Sequence, residues 1–270
     1  MMITVLIAAL LAGLSLLATA ATYAATGGRR GEAGTAPLTV AGALLAFARE
    51  WLAGLALLAA RPLPARPPRV GDARRRFALL VPELHCGSGG FWYLCRRLRA
   101  HGWEPIAGLR RGASAAITFA ALDARIRQLP AGSELVLVGH GCGGVLAHRY
   151  AQARPALRIG HVVTLAAPHG GSAALAYRIL GGAVEAVAAA LPASEAACVD
   201  VIAIYSDFDA WLVPVDDAYC PGGFNIAVRG VGHCAILLSR RVADLIVENL
   251  AAPAPASSSI DHRNSEAPGG

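Results

Sequence analysis

Leu135-Val136-Leu137-Val138-Gly139-His140-Gly141-Cys142-Gly143-Gly144-Val145 decides how this 270-residue chain is read. A short apolar run meets an alanine-rich helical pattern, Val145 to Ala153, through a segment built almost wholly of glycine. Apolar residues before and helix formers after describe a strand entering a helix, with only a very tight turn between them. Gly141 stands at the tip of that turn, so the tip carries no side chain.

Outward from this point the apolar pattern alternates between short runs and longer amphipathic stretches. The short runs predict strands over Phe77 to Val81, Pro105 to Leu109, Leu135 to Val138, Val162 to Leu165, Val201 to Tyr205 and Phe224 to Val228. Helices are expected over Phe91 to Ala100, Ala115 to Gln128, Val145 to Ala153, Ala173 to Leu180 and Val242 to Leu250. Strands alternating with helices make an α/β domain, a doubly wound, mostly parallel sheet with helices on both faces.

Gly139-x-Gly141-x-x-Gly144 also fits the dinucleotide-binding fingerprint, which would make the protein an oxidoreductase. That fingerprint expects a carboxylate about 20 residues on, at the end of the next strand. Here the next strand ends Thr164-Leu165-Ala166-Ala167-Pro168, and two strands precede the motif.

The string Leu135 to Tyr150 resembles the nucleophile elbow of bacterial lipases and esterases of the α/β-hydrolase fold, whose pattern is Gly-His-Ser-x-Gly-Gly. Thr164-Leu-Ala-Ala-Pro-His-Gly-Gly171 is similar to the segment after that family's next strand. Ser206-Asp-Phe-Asp-Ala-Trp-Leu-Val-Pro214 is similar to its acid loop, and Gly230-Val-Gly-His-Cys-Ala-Ile-Leu-Leu-Ser239 to its histidine loop. The resemblance spans Arg76 to Leu250 with all four motifs in order. It implies Asp209 as the triad acid, because its spacing to Pro214 fits better than that of Asp207, and His233 as the base. It puts Gly141 at the nucleophile position, and the backbone amides of Cys142 and Leu84 at the oxyanion positions.

Two departures bear on activity. Gly141 lacks the attacking atom, and Pro82-Glu83-Leu84-His85 stands where the family has His-Gly. Proline has no amide hydrogen, and a carboxylate at Glu83 repels a developing oxyanion. The resemblance therefore implies a pseudohydrolase that binds an acyl or lipid ligand, or a protein partner, in the cleft. The alternative is a working ester hydrolase in which the Asp209–His233 pair activates water beside Gly141, or in which Cys142 attacks. One residue past the tip, the Cys142 side chain is expected to point away from the base. Bland roles compete at each position: a turn glycine at 141, turn caps at Asp207 and Asp209, a loop histidine at 233, a solvated Glu83, and packing for His140 and His169.

The N-terminal 60 residues are of another character. Met1 to Gly28 carries no charge, and Ile3 to Ala24 has the roughly 20 apolar residues that cross a bilayer. This segment reads as a membrane anchor, with a cleaved signal peptide ending near Ala18-Thr19-Ala20 and export as the alternative. Ala36 to Ala60 is a second apolar stretch, interrupted by Arg49-Glu50. It either completes a helical hairpin or lies in the interface with those charges snorkelling. Arginines follow both stretches, at Arg29, Arg30, Arg61, Arg66, Arg69, Arg74, Arg75 and Arg76, which places the folded part on the cytoplasmic side of a bacterial inner membrane. Residues 61–75 read as a Pro/Arg-rich linker, 76–251 as the folded domain and 252–270 as a disordered tail. Gly181 to Cys198, apolar and alanine-rich, is either a lid over the cleft or core.

The net charge is +6 and all 24 basic residues are arginine, many of them in that juxtamembrane zone, so anionic lipid is the expected partner rather than nucleic acid. The six cysteines contain no Cys-x-x-Cys pair; neither metal nor cofactor is expected, and the thiols read as small apolar residues.

Overall fold

The computed structural model describes residues 39–60, 76–83, 87–107, 115–157, 159–170, 199–209, 211–212 and 215–251. The expected span at Ile3 to Ala24, the linker, the helix at Ala173 to Leu180, the lid segment, Leu84 and the tail lie outside these residues.

Six strands form one parallel sheet in the order β2-β1-β3-β4-β5-β6. They are β1 (Arg76–Val81), β2 (Glu104–Ile106), β3 (Glu134–His140), β4 (His161–Leu165), β5 (Val201–Ser206) and β6 (Phe224–Val228). Helix α1 (Val40–Ala60) precedes them; α2 (Trp92–Ala100), α3 (Ala115–Ile126), α4 (Cys142–Ala153) and α5 (Arg240–Ala251) follow or join them. The central strands are apolar at consecutive positions because both faces are covered. On β1, Phe77, Leu79 and Val81 face a layer containing Phe119, Leu122, Leu146 and Tyr150 of α3 and α4. Ala78 and Leu80 belong to the opposite layer, with Leu94 and Leu98 of α2 and Val242 and Ile246 of α5. Arg97 of α2 pairs with Asp244 of α5.

The chain leaves β1 for β2 on one side and returns to β3 on the other. Ligand crevices in open parallel sheets form at such a reversal, outside the carboxyl ends of the strands. The register Val81↔Gly139 puts the residues that follow β1, Pro82 and Glu83, beside His140 and Gly141.

Three expectations need correction. The second strand begins at Glu104, before the apolar run, because that carboxylate is fully buried and reached by Arg99, with Nη2–Oε1 at 3.3 Å. The helix after the tight turn begins at Cys142 rather than Val145, and the glycines are its first turn. A side chain at Gly143 would collide with the carbonyls of Val81 and Pro82, so glycine lets the helix start directly on β1.

The third concerns α1, which is long and apolar enough by composition to cross a membrane. Its buried residues Ala46, Glu50, Ala53, Leu57 and Ala60 fall at alternating steps of four and three, one helical stripe. This stripe packs on the turns Ser88–Phe91 and Ala235–Leu238. Glu50 does not snorkel: it is 3% exposed and lies under the domain.

Candidate active site

The tight turn after β3 puts Gly141 at φ 55°, ψ −130°, in the left-handed half of backbone space where glycine is the favoured residue. Its amide donates to the Leu165 carbonyl at 2.9 Å, tying the tip to β4. Cys142 opens α4 with its side chain 1% exposed, packed in the core layer of Ala78, Leu80 and Val138.

Asp209 arrives from the loop after β5. Its Oδ1 accepts from the amides of Trp211 at 2.8 Å and Leu212 at 3.2 Å, which aims Oδ2 at His233 Nδ1, 2.9 Å away. Asp207 is used elsewhere: it accepts from the Gly230 amide at 3.0 Å and faces Arg229 at 3.6 Å. The loop after β6 delivers His233, which like Asp209 is 1% exposed. Trp211 stacks on its ring with centroids 5.6 Å apart, and His140 lies tilted against it at 4.6 Å. His140 Nε2 meets the His233 carbonyl oxygen at 3.0 Å. The turn tip, the acid loop and the histidine loop therefore converge.

Glu83 completes the constellation from the end of β1. Its Oε2 lies 3.6 Å from His233 Nε2, the ring nitrogen opposite Asp209. Burial works to lower the His233 pKa, but the charge and hydrogen bond of Asp209, with Glu83 behind them, override it and hold the imidazole well above its usual value. His140 goes the other way: burial, then the neighbouring His233, pushes it down to about 4. The two rings are thus pushed in opposite directions, His233 toward the charged form and His140 toward the neutral one.

Glu50 supports this loop from outside. Its carboxylate accepts from the Cys234 amide at 2.8 Å and the Ala235 amide at 2.9 Å, directly after His233. Gly232 is the residue that allows this approach, since a Cβ there would run into the Glu50 carboxylate. The sequence reading missed the Glu50 contact, and the signal was a lone acid at a core position of an apolar helix. It also left Glu83 to solvent and His140 to packing.

Among the described residues two clusters bring metal-ligating atoms within 4.8 Å of one another: Glu83 with His140 and His233, and His148 with His169 and Cys220. Cys95, Cys142, Cys220 and Cys234 are thiols.

Neither a protein-family model nor a curated protein sequence matches the chain. Solved structures do. It is similar to polyneuridine aldehyde esterase, with TM-score 0.50 and 13% identity over 66% of this chain and 100% of that one. Est1E from Butyrivibrio proteoclasticus, solved with ferulic acid bound, gives TM-score 0.50 and 12% identity over 69% and 94%. A putative non-heme bromoperoxidase, BpoC from Mycobacterium tuberculosis, gives 0.50 and 13% over 71% and 96%. At such identities the likeness speaks for architecture alone, and that architecture, a parallel sheet flanked by helices with acid and histidine on the loops after β5 and β6, is the α/β-hydrolase fold.

Proposed function

We propose that this is a membrane-tethered relative of the lipases and esterases that has given up serine acyl transfer and binds an acyl or lipid ligand in the former cleft. One observation carries the reading. His233 keeps its acid partner Asp209 at 2.9 Å, yet its other nitrogen faces the Glu83 carboxylate and the nearby turn tip is Gly141. A serine mechanism needs a hydroxyl there and a histidine able to accept its proton. Losing a triad nucleophile costs about 10⁶ in rate in a protease example, and losing one oxyanion donor about 10²–10³.

A mainly apolar cavity of about 470 Å³ lies beside that cleft, between α1 and the histidine loop, lined by Leu52, Ala53, Val231, Ala235 and Leu238 with Arg49 and Ser239; Glu83, Gly141, Asp209 and His233 do not line it, so it offers an accessory surface for an acyl chain. Ligand pockets run from roughly 300 to 1,000 Å³. Leu44, Leu45, Leu52 and Leu58 of α1 are exposed, and a helix apolar on its outer face suits a lipid interface. With the N-terminal segment as anchor, the domain sits against the membrane, on its cytoplasmic side.

The intact Asp209–His233 pair favours one second reading, ester hydrolysis through water or Cys142. Two glycines of the dinucleotide pattern have packing roles of their own: a Cβ at Gly139 would meet Gly143 and Gly144 of α4, and one at Gly144 would meet Ala167 after β4. The test uses the full chain in vesicles with short-chain and long-chain chromogenic esters, beside His233→Ala and Cys142→Ala. Turnover no higher than with heat-denatured protein, together with saturable binding of a fluorescent fatty acid, is expected. A rate that drops in either variant establishes the second reading instead.

A further inference from the structure

We propose that Glu83, His140 and His233 form a binding site for a first-row divalent cation of the zinc class, held by two imidazole nitrogens and one carboxylate. This goes beyond the acyl-binding reading and does not need it, since the cation requires only these side chains.

The far nitrogen of each histidine is already committed. His233 Nδ1 is bonded to Asp209 Oδ2 at 2.9 Å. His140 Nε2 lies 3.0 Å from the His233 carbonyl oxygen, which can only accept, so Nε2 carries the hydrogen and Nδ1 keeps its lone pair. Carboxylate or carbonyl contacts on the outer nitrogen are what fix the tautomer and direction of metal-binding histidines.

The inner atoms face one another, and a cation there takes the place of the proton on His233 Nε2, which leaves to solvent. His140 is 1% exposed, and its Nδ1 has no hydrogen-bond partner. A buried acceptor without a donor calls for an explanation, and a cation supplies one. Glu83 Oε2 and His233 Nε2 are 3.6 Å apart, close to the ~3.4 Å that separates two ligands bound at about 2.1 Å in tetrahedral zinc. One ligating atom from each of the three residues lies within 4.8 Å of the other two, and the rotatable Glu83 side chain, 14% exposed, can close the remaining gap. Gly141, next in the chain to His140, adds no side chain to compete for the cation. Three protein ligands leave an open position for an oxygen ligand.

Full-length protein stripped with chelator is titrated with Co²⁺, then with Zn²⁺. The expected result is one equivalent of Co²⁺ with visible d–d bands and no thiolate charge-transfer band, displaced by Zn²⁺. Asp209→Asn, which takes the carboxylate from behind His233 and leaves the three ligand side chains in place, should weaken binding about 10–100-fold. His140→Ala and Glu83→Gln should weaken it further, while His148→Ala leaves it unchanged. Absence of stoichiometric binding overturns the proposal. So does a thiolate band lost in Cys220→Ser, which puts the cation on the other cluster, or unchanged affinity in Glu83→Gln, whose isosteric side chain keeps the fold even where His140→Ala does not. Because no ester or fatty acid enters this titration, its failure is distinct from failure of the acyl-binding reading.

Discussion

Position 141 shows how one residue serves fold and chemistry at once. Its φ of 55° is tolerated by glycine without strain, whereas a side chain there costs about 1–3 kcal/mol. Gly141→Ser should therefore lower the unfolding free energy by that order and restore little ester turnover, because Glu83 still faces His233 and Pro82 still lacks an amide hydrogen. Burst kinetics with a p-nitrophenyl ester decide it: strong recovery in Gly141→Ser alone means that Glu83 does not obstruct the centre, and recovery only when Glu83→Gly is added means that it does. The resemblance of the acid loop pointed to Asp209 rather than Asp207, and Asp209 is the one whose Oδ2 lies 2.9 Å from His233 Nδ1. It gave no such pointer for Glu83 and His233. Those two are 150 positions apart, and nothing in local pattern says which loops the sheet order brings face to face.

At the scale of elements, the strands were legible because burial on both faces leaves a continuous apolar run. Where a charge interrupted the run the reading slipped, at Glu104 on β2 and at Glu50 on α1. Both are buried acids: Glu50 is held by amides 184 and 185 positions away along the chain, and Glu104 by Arg99, a partner that composition alone does not assign. Glu50 ties α1 to the histidine loop through backbone amides, so Glu50→Gln replaces one accepting oxygen with an NH₂ group that opposes those donors. The expected loss is about 1–3 kcal/mol, the usual penalty for leaving a buried polar group unsatisfied. Hydrogen exchange locates it: the Cys234 and Ala235 amides should exchange faster in Glu50→Gln, while Arg97→Ala, which removes the α2–α5 ion pair, should leave their rank among the amides unchanged. Equal protection of those two amides in Glu50→Gln and the parent chain would mean that α1 docks by its apolar stripe alone.

The whole molecule stores a pH response away from the candidate centre. His148 of α4 and His169, after β4, lie edge to face with ring centroids 5.6 Å apart. Thr164 Oγ1 is 3.0 Å from His169 Nε2, and Cys220 Sγ is 4.0 Å from His148 Nδ1. Burial pushes both imidazoles down to about 4; His148 and Arg149 add to the shift at His169, and Arg149 adds at His148. An unfolded chain binds these protons near pH 6.5, whereas the folded one resists them until about pH 4. Stability contributed by keeping the pair neutral is thus present above pH 6.5 and falls as the pH drops toward 4, the sign set by greater proton binding in the unfolded state. His233 has no part in this window, because its folded pKa is raised and it is charged in both states below pH 6.5. Thermal melts between pH 7 and pH 4 should show a declining midpoint. The double variant His148→Gln, His169→Gln should remove about one to two protons from the uptake on unfolding at pH 5, the upper value applying if solvent does not reach the half-buried rings. An identical pH slope in the double variant and the parent would mean that the decline belongs to His140, which burial also pushes down to about 4, and to the carboxylates, and that His148 and His169 titrate freely in the folded protein.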